Sequence, residues 1–246
     1  MIKILLAAVL TLATMGPAVE LKVLSVGSVN PGLSNNAEQF RKDTGNTVTI
    51  QVDTAPGLTR RLAAGETADV IIATADVLDE AAKTGKIVAG TRVLVARVGV
   101  GVAVRRAATL PNVATPDGLR QALEAADSIV YNEGSSGLYL DRLFEKMGIA
   151  ARLKAKTTRY PNGGQVGQHI LNGKGNELGF LPIPYIKSNL SSGLQYVGPL
   201  PGDTQNYTAY EGAVMTGGKT QDAAKEFIRY LTSPGAKQIF SAAGVD

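Results

Sequence analysis

Four turns carry residue types suited to holding a small anion. They are Ser25-Val26-Gly27-Ser28 running on to Gly32, Asp53-Thr54-Ala55-Pro56-Gly57, Asn132-Glu133-Gly134-Ser135-Ser136-Gly137, and Asn162-Gly163-Gly164. Each precedes a segment with helical patterning, and a helix start offers unpaired N–H groups together with the positive end of the helix dipole. Ser, Thr, Asn and Asp before a helix also cap it, and for one turn alone capping is the simpler account. Four in one chain point to a ligand. Arg60 and Arg61, just after the second turn, and Arg159, which opens the last, add guanidinium groups that pair bidentately with carboxylates. Consecutive helical residues point about 100° apart, so at most one of Arg60 and Arg61 faces a ligand, and Arg159 is preferred to Arg60.

Proton-transfer chemistry has fewer candidates: Asp53 and Glu133 in the turns, and His169 in the helix after Gly164. Each has a structural alternative, Asp53 and Glu133 as helix caps and His169 as a helix-surface residue. Ser135, Ser136 and His169 match no nucleophile motif such as GxSxG, which argues against a hydrolase. None of the turns matches GxxxxGK[ST] or GxGxxG, so nucleotide binding has no support.

The elements that must position these turns alternate. The patterning predicts strand Leu21–Ser25, helix Asn35–Lys42, strand Thr47–Val52, helix Leu58–Ala64 and strand Val70–Ala73. The Val-rich stretch 93–104, too long for an ordinary strand, reads as a crossing between two lobes. A second series follows: helix 116–126, strand 128–131, helix 138–147, strand 155–158, helix 166–171 and strand 178–181. The segment Tyr207–Met215 returns the chain and brings Tyr207 and Tyr210 to the hinge, the cleft or the core. Two helices close the chain, one with the stripe Ala224, Phe227, Ile228, Leu231, the other opening at Ser233-Pro234. This is an α/β fold in two lobes, residues 19–95 plus 208–246 forming one and residues 96–207 the other.

Composition removes whole classes of function. The 246 residues include no cysteine and a single histidine, which excludes disulfides, thiolate chemistry and Cys- or His-cluster metal sites. The net charge of +4 is spread along the chain, aromatics total 5% and tryptophan is absent, so nucleic acid is not an expected partner. Met1-Ile2-Lys3, the apolar run Ile4–Ala13 and Gly16-Pro17-Ala18 read as a secretory signal peptide over residues 1–18. A membrane anchor needs about 20 apolar residues. The expected product is a soluble periplasmic protein without a lipid anchor.

Three stretches carry a family resemblance: VLSVGSV (Val23–Val29), LTRRLAAGETADVIIATAD (Leu58–Asp76) and FIRYLTSPGAKQIFSAAG (Phe227–Gly244). The chain resembles the type 2 periplasmic substrate-binding proteins of ABC transporters, in the branch around molybdate-binding proteins. The resemblance spans essentially the whole chain after the signal peptide. It implies the two-lobed binding-protein fold, a small anionic ligand in the cleft, lobe closure on binding, an inner-membrane ABC permease as partner, a monomer and no cofactor. Within this resemblance Ser28 matches the first oxyanion-binding serine, and Ser136 and Val166 fall where backbone donors of the second lobe sit. Two family features are missing: Thr54-Ala55-Pro56-Gly57 replaces a serine cluster, and Pro182 replaces a tyrosine donor. Each lost donor costs ~1–3 kcal/mol, which, with the arginines, points from molybdate towards an organic polycarboxylate. The ligand-binding candidates are therefore Ser28, Thr54, Arg60, Ser135, Ser136, Arg159, Val166 and Tyr207. The extended family also supports isomerisation of unsaturated tricarboxylates such as aconitate, a cofactor-free allylic proton shift, which is the alternative function. A purely structural or adhesive role ranks third.

Overall fold

The computed structural model describes residues 18–246; the expected signal peptide, residues 1–18, lies outside the described residues except for Ala18. The first half runs β1 (Glu20–Val26), α1 (Asn30–Thr44), β2 (Thr47–Asp53), α2 (Ala55–Ala63), β3 (Val70–Ala73) and α3 (Ala75–Lys83). The Val-rich stretch forms the single strand β4 (Val93–Arg105). The second half continues with α4 (Pro116–Ala125), β5 (Ser128–Asn132), α5 (Ser135–Lys146), α6 (Ala150–Leu153), β6 (Thr157–Tyr160), α7 (Gly163–Asn172), β7 (Glu177–Pro182), α8 (Ile183–Ser188) and β8 (Leu194–Pro199). Then β9 (Tyr207–Val214) returns the chain to α9 (Gln221–Leu231) and α10 (Pro234–Ala242).

The strands join in the order β2-β1-β3-β9-β4-β7-β5-β6, with β8 also paired to β4. At one end β1 is parallel to β2 and β3; at the other β5 is parallel to β6 and β7. Between them β4 pairs antiparallel with β9 along Val93–Gly99 and with β7 and β8 along Val100–Arg105. Its Val-rich half is buried on both faces, as suits a central strand covered by helices. Gly101 lets α8 and β8 close on it, because a Cβ there would fall within 3.0 Å of Ile186, Tyr196 and Ile183.

The buried clusters divide at β4. One runs from Leu21 to Val98 and resumes from Tyr210 to Val245; two others lie between Val100 and Leu200. In α9, Ala224, Phe227, Ile228 and Leu231 are all buried, and Ser233 caps α10 through the Ala236 N–H at 3.2 Å. The buried carboxylate of Asp69 fastens α9 to the first sheet. It accepts from the N–H groups of Lys22 (2.8 Å), Lys219 (2.8 Å) and Thr220 (3.0 Å) and from the Thr220 hydroxyl (2.9 Å). Burial pushes its pKa up, but these four donors outweigh it and hold the group below its ordinary value.

Several helices begin earlier than the apolar periodicity predicts. α1 starts at Asn30 instead of Asn35, α2 at Ala55 instead of Leu58, α5 at Ser135 instead of Leu138 and α7 at Gly163 instead of Val166. Periodicity marks only the turns that bury a stripe, and these first turns are polar or small. α3, α8 and β8 had no sequence prediction. The strand expected over 155–158 lies at Thr157–Tyr160.

Candidate functional site

The early helix starts converge on a cleft of about 700 Å³. Its lining takes Ser28 from the 3-10 turn Gly27–Val29, Asn30 from α1, Asp53 and Thr54 from the β2–α2 junction, and Arg60 from α2. The second half supplies Asn132, Ser135 and Ser136 around the start of α5, Asn162 to Gly164 around the start of α7, Pro182 at the end of β7 and Tyr185 from α8. Tyr210, only 2% exposed, reaches the same space from β9, its Oη 3.4 Å from Ser135 Oγ. The ligand position expected of an open α/β sheet, at the carboxyl ends of its parallel strands, is where this cleft lies.

The four turns are chemically unequal. Thr54 Oγ1 accepts from the Gly57 N–H at 3.2 Å and Asn162 Oδ1 from the Gln165 N–H at 3.1 Å, so α2 and α7 are capped by their own side chains. At α2 the Asp53 carboxylate adds a built-in negative charge. Its Oδ1 accepts from the Thr54 N–H at 2.7 Å and packs so closely that a Cβ on Gly57 would fall 1.9 Å from it. By contrast α1, preceded by Val29, and α5, preceded by Gly134, have no side-chain cap. At α5 the first N–H groups lack i−4 partners by construction, whereas α1 continues from the 3-10 turn, its Asn30 N–H bonded to the Gly27 carbonyl and Pro31 having no N–H. Gly137 lets α5 start against the strand it follows, since a Cβ there would lie 1.7 Å from the Asn132 carbonyl oxygen.

Of the sequence-predicted binding residues, Ser28, Thr54, Arg60, Ser135 and Ser136 line the cleft, and Arg159, Val166 and Tyr207 do not. Arg159 is engaged elsewhere: its Nη1 lies 3.3 Å from Asp141 Oδ2 and its guanidinium 5.9 Å from the centre of the Tyr131 ring. The Tyr131 hydroxyl donates to the same Asp141 at 2.7 Å, and burial pushes its pKa up. Arg60, and not the sequence-preferred Arg159, lines the cleft. Arg61 turns away as the helical geometry requires, bonding Glu66 at 2.6 and 2.7 Å and also Gln51. Those bonds, with one from Lys22, lower the Glu66 pKa to about 2.

Val166 is fully buried and its N–H already points back to the Asn162 carbonyl, because α7 starts three residues earlier than periodicity suggested. Gly163 and Gly164 hold the cleft position instead. Tyr207 is half exposed beside Gly99, while Tyr210, an odd number of residues along β9, faces the other way and into the cleft. Glu133 is exposed outside the lining, its N–H bonded to the Tyr160 carbonyl at 2.8 Å. His169 is held outside the lining between Tyr160 Oη, 2.8 Å from Nδ1, and Ser128 Oγ, 3.1 Å from Nε2. Tyr185 was not singled out from the sequence; it stands three residues past Pro182, and burial pushes its pKa up.

Among the described residues no cluster of three or more His, Asp or Glu side chains is arranged to hold a metal, and no helix is long and apolar enough to cross a membrane. The chain is 31% identical over 247 residues to an aconitate isomerase of a Pseudomonas species, with 98% of this chain and 93% of that one covered. It is 26% identical over 239 residues to a molybdate-binding protein of Azotobacter vinelandii, covering 95% and 92%. The solved structure of the Azotobacter vinelandii periplasmic molybdate-binding protein superposes with a TM-score of 0.75 at 19% identity, over 92% of this chain and 98% of that one. That likeness shows a two-lobed periplasmic-binding-protein fold. With a family sequence model matching residues 21–246, the chain belongs to the bacterial extracellular solute-binding proteins.

Proposed function

We propose that the cleft binds an organic polycarboxylate and that the protein interconverts the isomers of an unsaturated tricarboxylate of the aconitate type. The observation that carries the ligand class is Arg60, a cleft-lining guanidinium that takes part in no ion pair among the described residues. Together with the uncapped start of α5 it offers two separate attachments for negative charge. Separate attachments suit several carboxylates on one carbon skeleton. Pro182, which donates nothing to an oxyanion, argues in the same direction. Support for the chemistry comes from the 31% identity, along nearly all of both chains, to a protein named aconitate isomerase.

A second reading, favoured by the likeness to molybdate-binding proteins in sequence and fold, is a solute-binding protein that passes its anion unchanged to an ABC permease. In both readings the protein is a periplasmic monomer without a cofactor. The signal-like residues 1–18 and the extracellular character of the family support export. The lobes are residues 19–95 plus 208–246 and residues 96–207.

Thermal unfolding with molybdate, tungstate, sulfate, phosphate and a series of di- and tricarboxylates tests the ligand class. Saturation at a hundred times Kd adds about 2.7 kcal/mol, a Tm rise of roughly 5–10 °C for a chain of this size. The polycarboxylate reading expects that rise with tricarboxylates; a rise with molybdate or tungstate alone refutes it. Proton NMR of the same samples separates the two fates of the ligand.

A further inference from the structure

Among the described residues, four ionisable side chains line the cleft: Asp53, Arg60, Tyr185 and Tyr210. A guanidinium keeps its charge throughout the range in which proteins are folded, and a phenol near neutral pH holds its proton. Asp53 is therefore the cleft group able to accept a proton from carbon. Its geometry suits that task. Oδ1 is clamped by the Thr54 N–H at 2.7 Å and by contact with Gly57. Oδ2 has the Arg61 Nη1 at 3.9 Å, beyond hydrogen-bond reach, and the side chain is 34% exposed. Oδ1 accepts from the backbone, while Oδ2 accepts no hydrogen bond among the described residues and has Arg61 as its ion-pair partner. The rival candidates lie outside the lining, Glu133 in solvent and His169 between Tyr160 and Ser128.

We infer that Asp53 is the catalytic base that carries the proton in the isomerisation, Oδ2 taking it from one end of the allylic unit and returning it to the other. The inference rests on the isomerase reading proposed above. As the C–H bond of the CH2 group breaks, the O–H bond to Asp53 forms and the released electron pair becomes the new double bond. The old π pair moves to the far carbon, which takes the proton back and leaves Asp53 a carboxylate again. No other reactant is consumed. Charge that develops between these steps spreads onto the flanking carboxylates, where the Arg60 cation opposes it. Both outer arms of aconitate end in a carboxylate, so the shift regenerates the same connectivity and the new double bond can take the opposite geometry.

The test compares the purified protein with its Asp53→Asn variant, each given cis- and trans-aconitate, with thermal shift reporting binding and proton NMR reporting conversion. Asparagine keeps an oxygen for the Thr54 N–H, so the expected result is retained ligand-induced stabilisation and conversion slowed about 100-fold or more. Conversion within tenfold of wild type overturns the role of Asp53 and leaves the isomerase reading standing. Wild type that binds both isomers and converts neither overturns that reading, and the inference with it. Should the Asn variant fail to fold, Asp53→Ser is judged by the same criteria.

Discussion

Arg60→Gln is expected to weaken tricarboxylate binding about tenfold, and Arg159→Gln to leave it within twofold of wild type. A hydrogen bond to a charged group is worth ~1.5–3 kcal/mol. Arg60 is exposed, so water competes for it and the low end of that range applies, equivalent to about one decade in Kd. Since Arg60 shares no ion pair among the described residues, its removal strands no carboxylate, and Tm should hold within about 2 °C. Arg159 has the opposite signature. Its pair with Asp141 joins side chains 37% and 32% exposed, which limits the pair to ~0.5–1 kcal/mol, and the Tyr131 ring adds a similar amount. Arg159→Gln should therefore lower Tm by roughly 2–8 °C. Isothermal titration calorimetry with trans-aconitate, beside calorimetric melts of both variants, reads the two quantities independently. Equal affinity losses in the two variants, or an Arg60→Gln variant that binds within twofold of wild type, would refute the assignment.

Ser28→Ala should weaken ligand binding about fivefold, the ~1 kcal/mol of one neutral donor, with an unchanged circular-dichroism spectrum; unaltered affinity removes Ser28 from the site. Gly137→Ala should lower Tm by roughly 4–8 °C, because a Cβ 1.7 Å from the Asn132 carbonyl outweighs the ~1 kcal/mol that alanine gains in a helix. A melt at or above wild type would mean that α5 relaxes at no cost. Asp69→Asn sets an amide N–H2 against the Lys22 N–H or against the three donors on the other oxygen, a loss of ~2–3 kcal/mol at pH 7 measured by urea unfolding. The native pKa of Asp69 lies below its unfolded value, so its contribution is complete above about pH 4 and disappears as pH falls through the native pKa; a gap between variant and wild type that stays constant down to pH 2 refutes the account.

The strands were legible because burial writes itself into composition. Val70–Ala73, an unbroken apolar tetrad, was placed to the residue, and the Val-rich run of β4 declared a strand shared by two cores. The stripe of α9 and the Ser233-Pro234 start of α10 were equally plain. Helix starts were harder, for a reason tied to the site itself: the first turns of α1, α2, α5 and α7 meet the cleft and carry no apolar stripe. The same shift puts Val166 outside the cleft lining. Arg159 also lies outside it, paired with Asp141 of α5 eighteen residues away, and no local pattern announces that pairing. Between Tyr207 and Tyr210 the alternation of a strand separates the faces, yet which face meets the cleft depends on the sheet order. The sequence offers Asp53 as a helix cap, a role that Thr54 takes in the structure; that Asp53 Oδ2 accepts no hydrogen bond among the described residues appears only in three dimensions.

The position of β9 also bears on how the chain reaches its native state. Residues 100–200 form a contiguous stretch with their own buried clusters and can pack as soon as they are available. The first sheet cannot, because β9 is the strand that lies between β3 and β4. Until residues 207–214 arrive, the fully buried segment Val70–Ala73 has an unpaired edge, and so does the first half of β4. Exposed apolar edges of this kind invite pairing with other chains. Folding of the amino-terminal sheet is thereby tied to a strand that the chain supplies more than a hundred residues later.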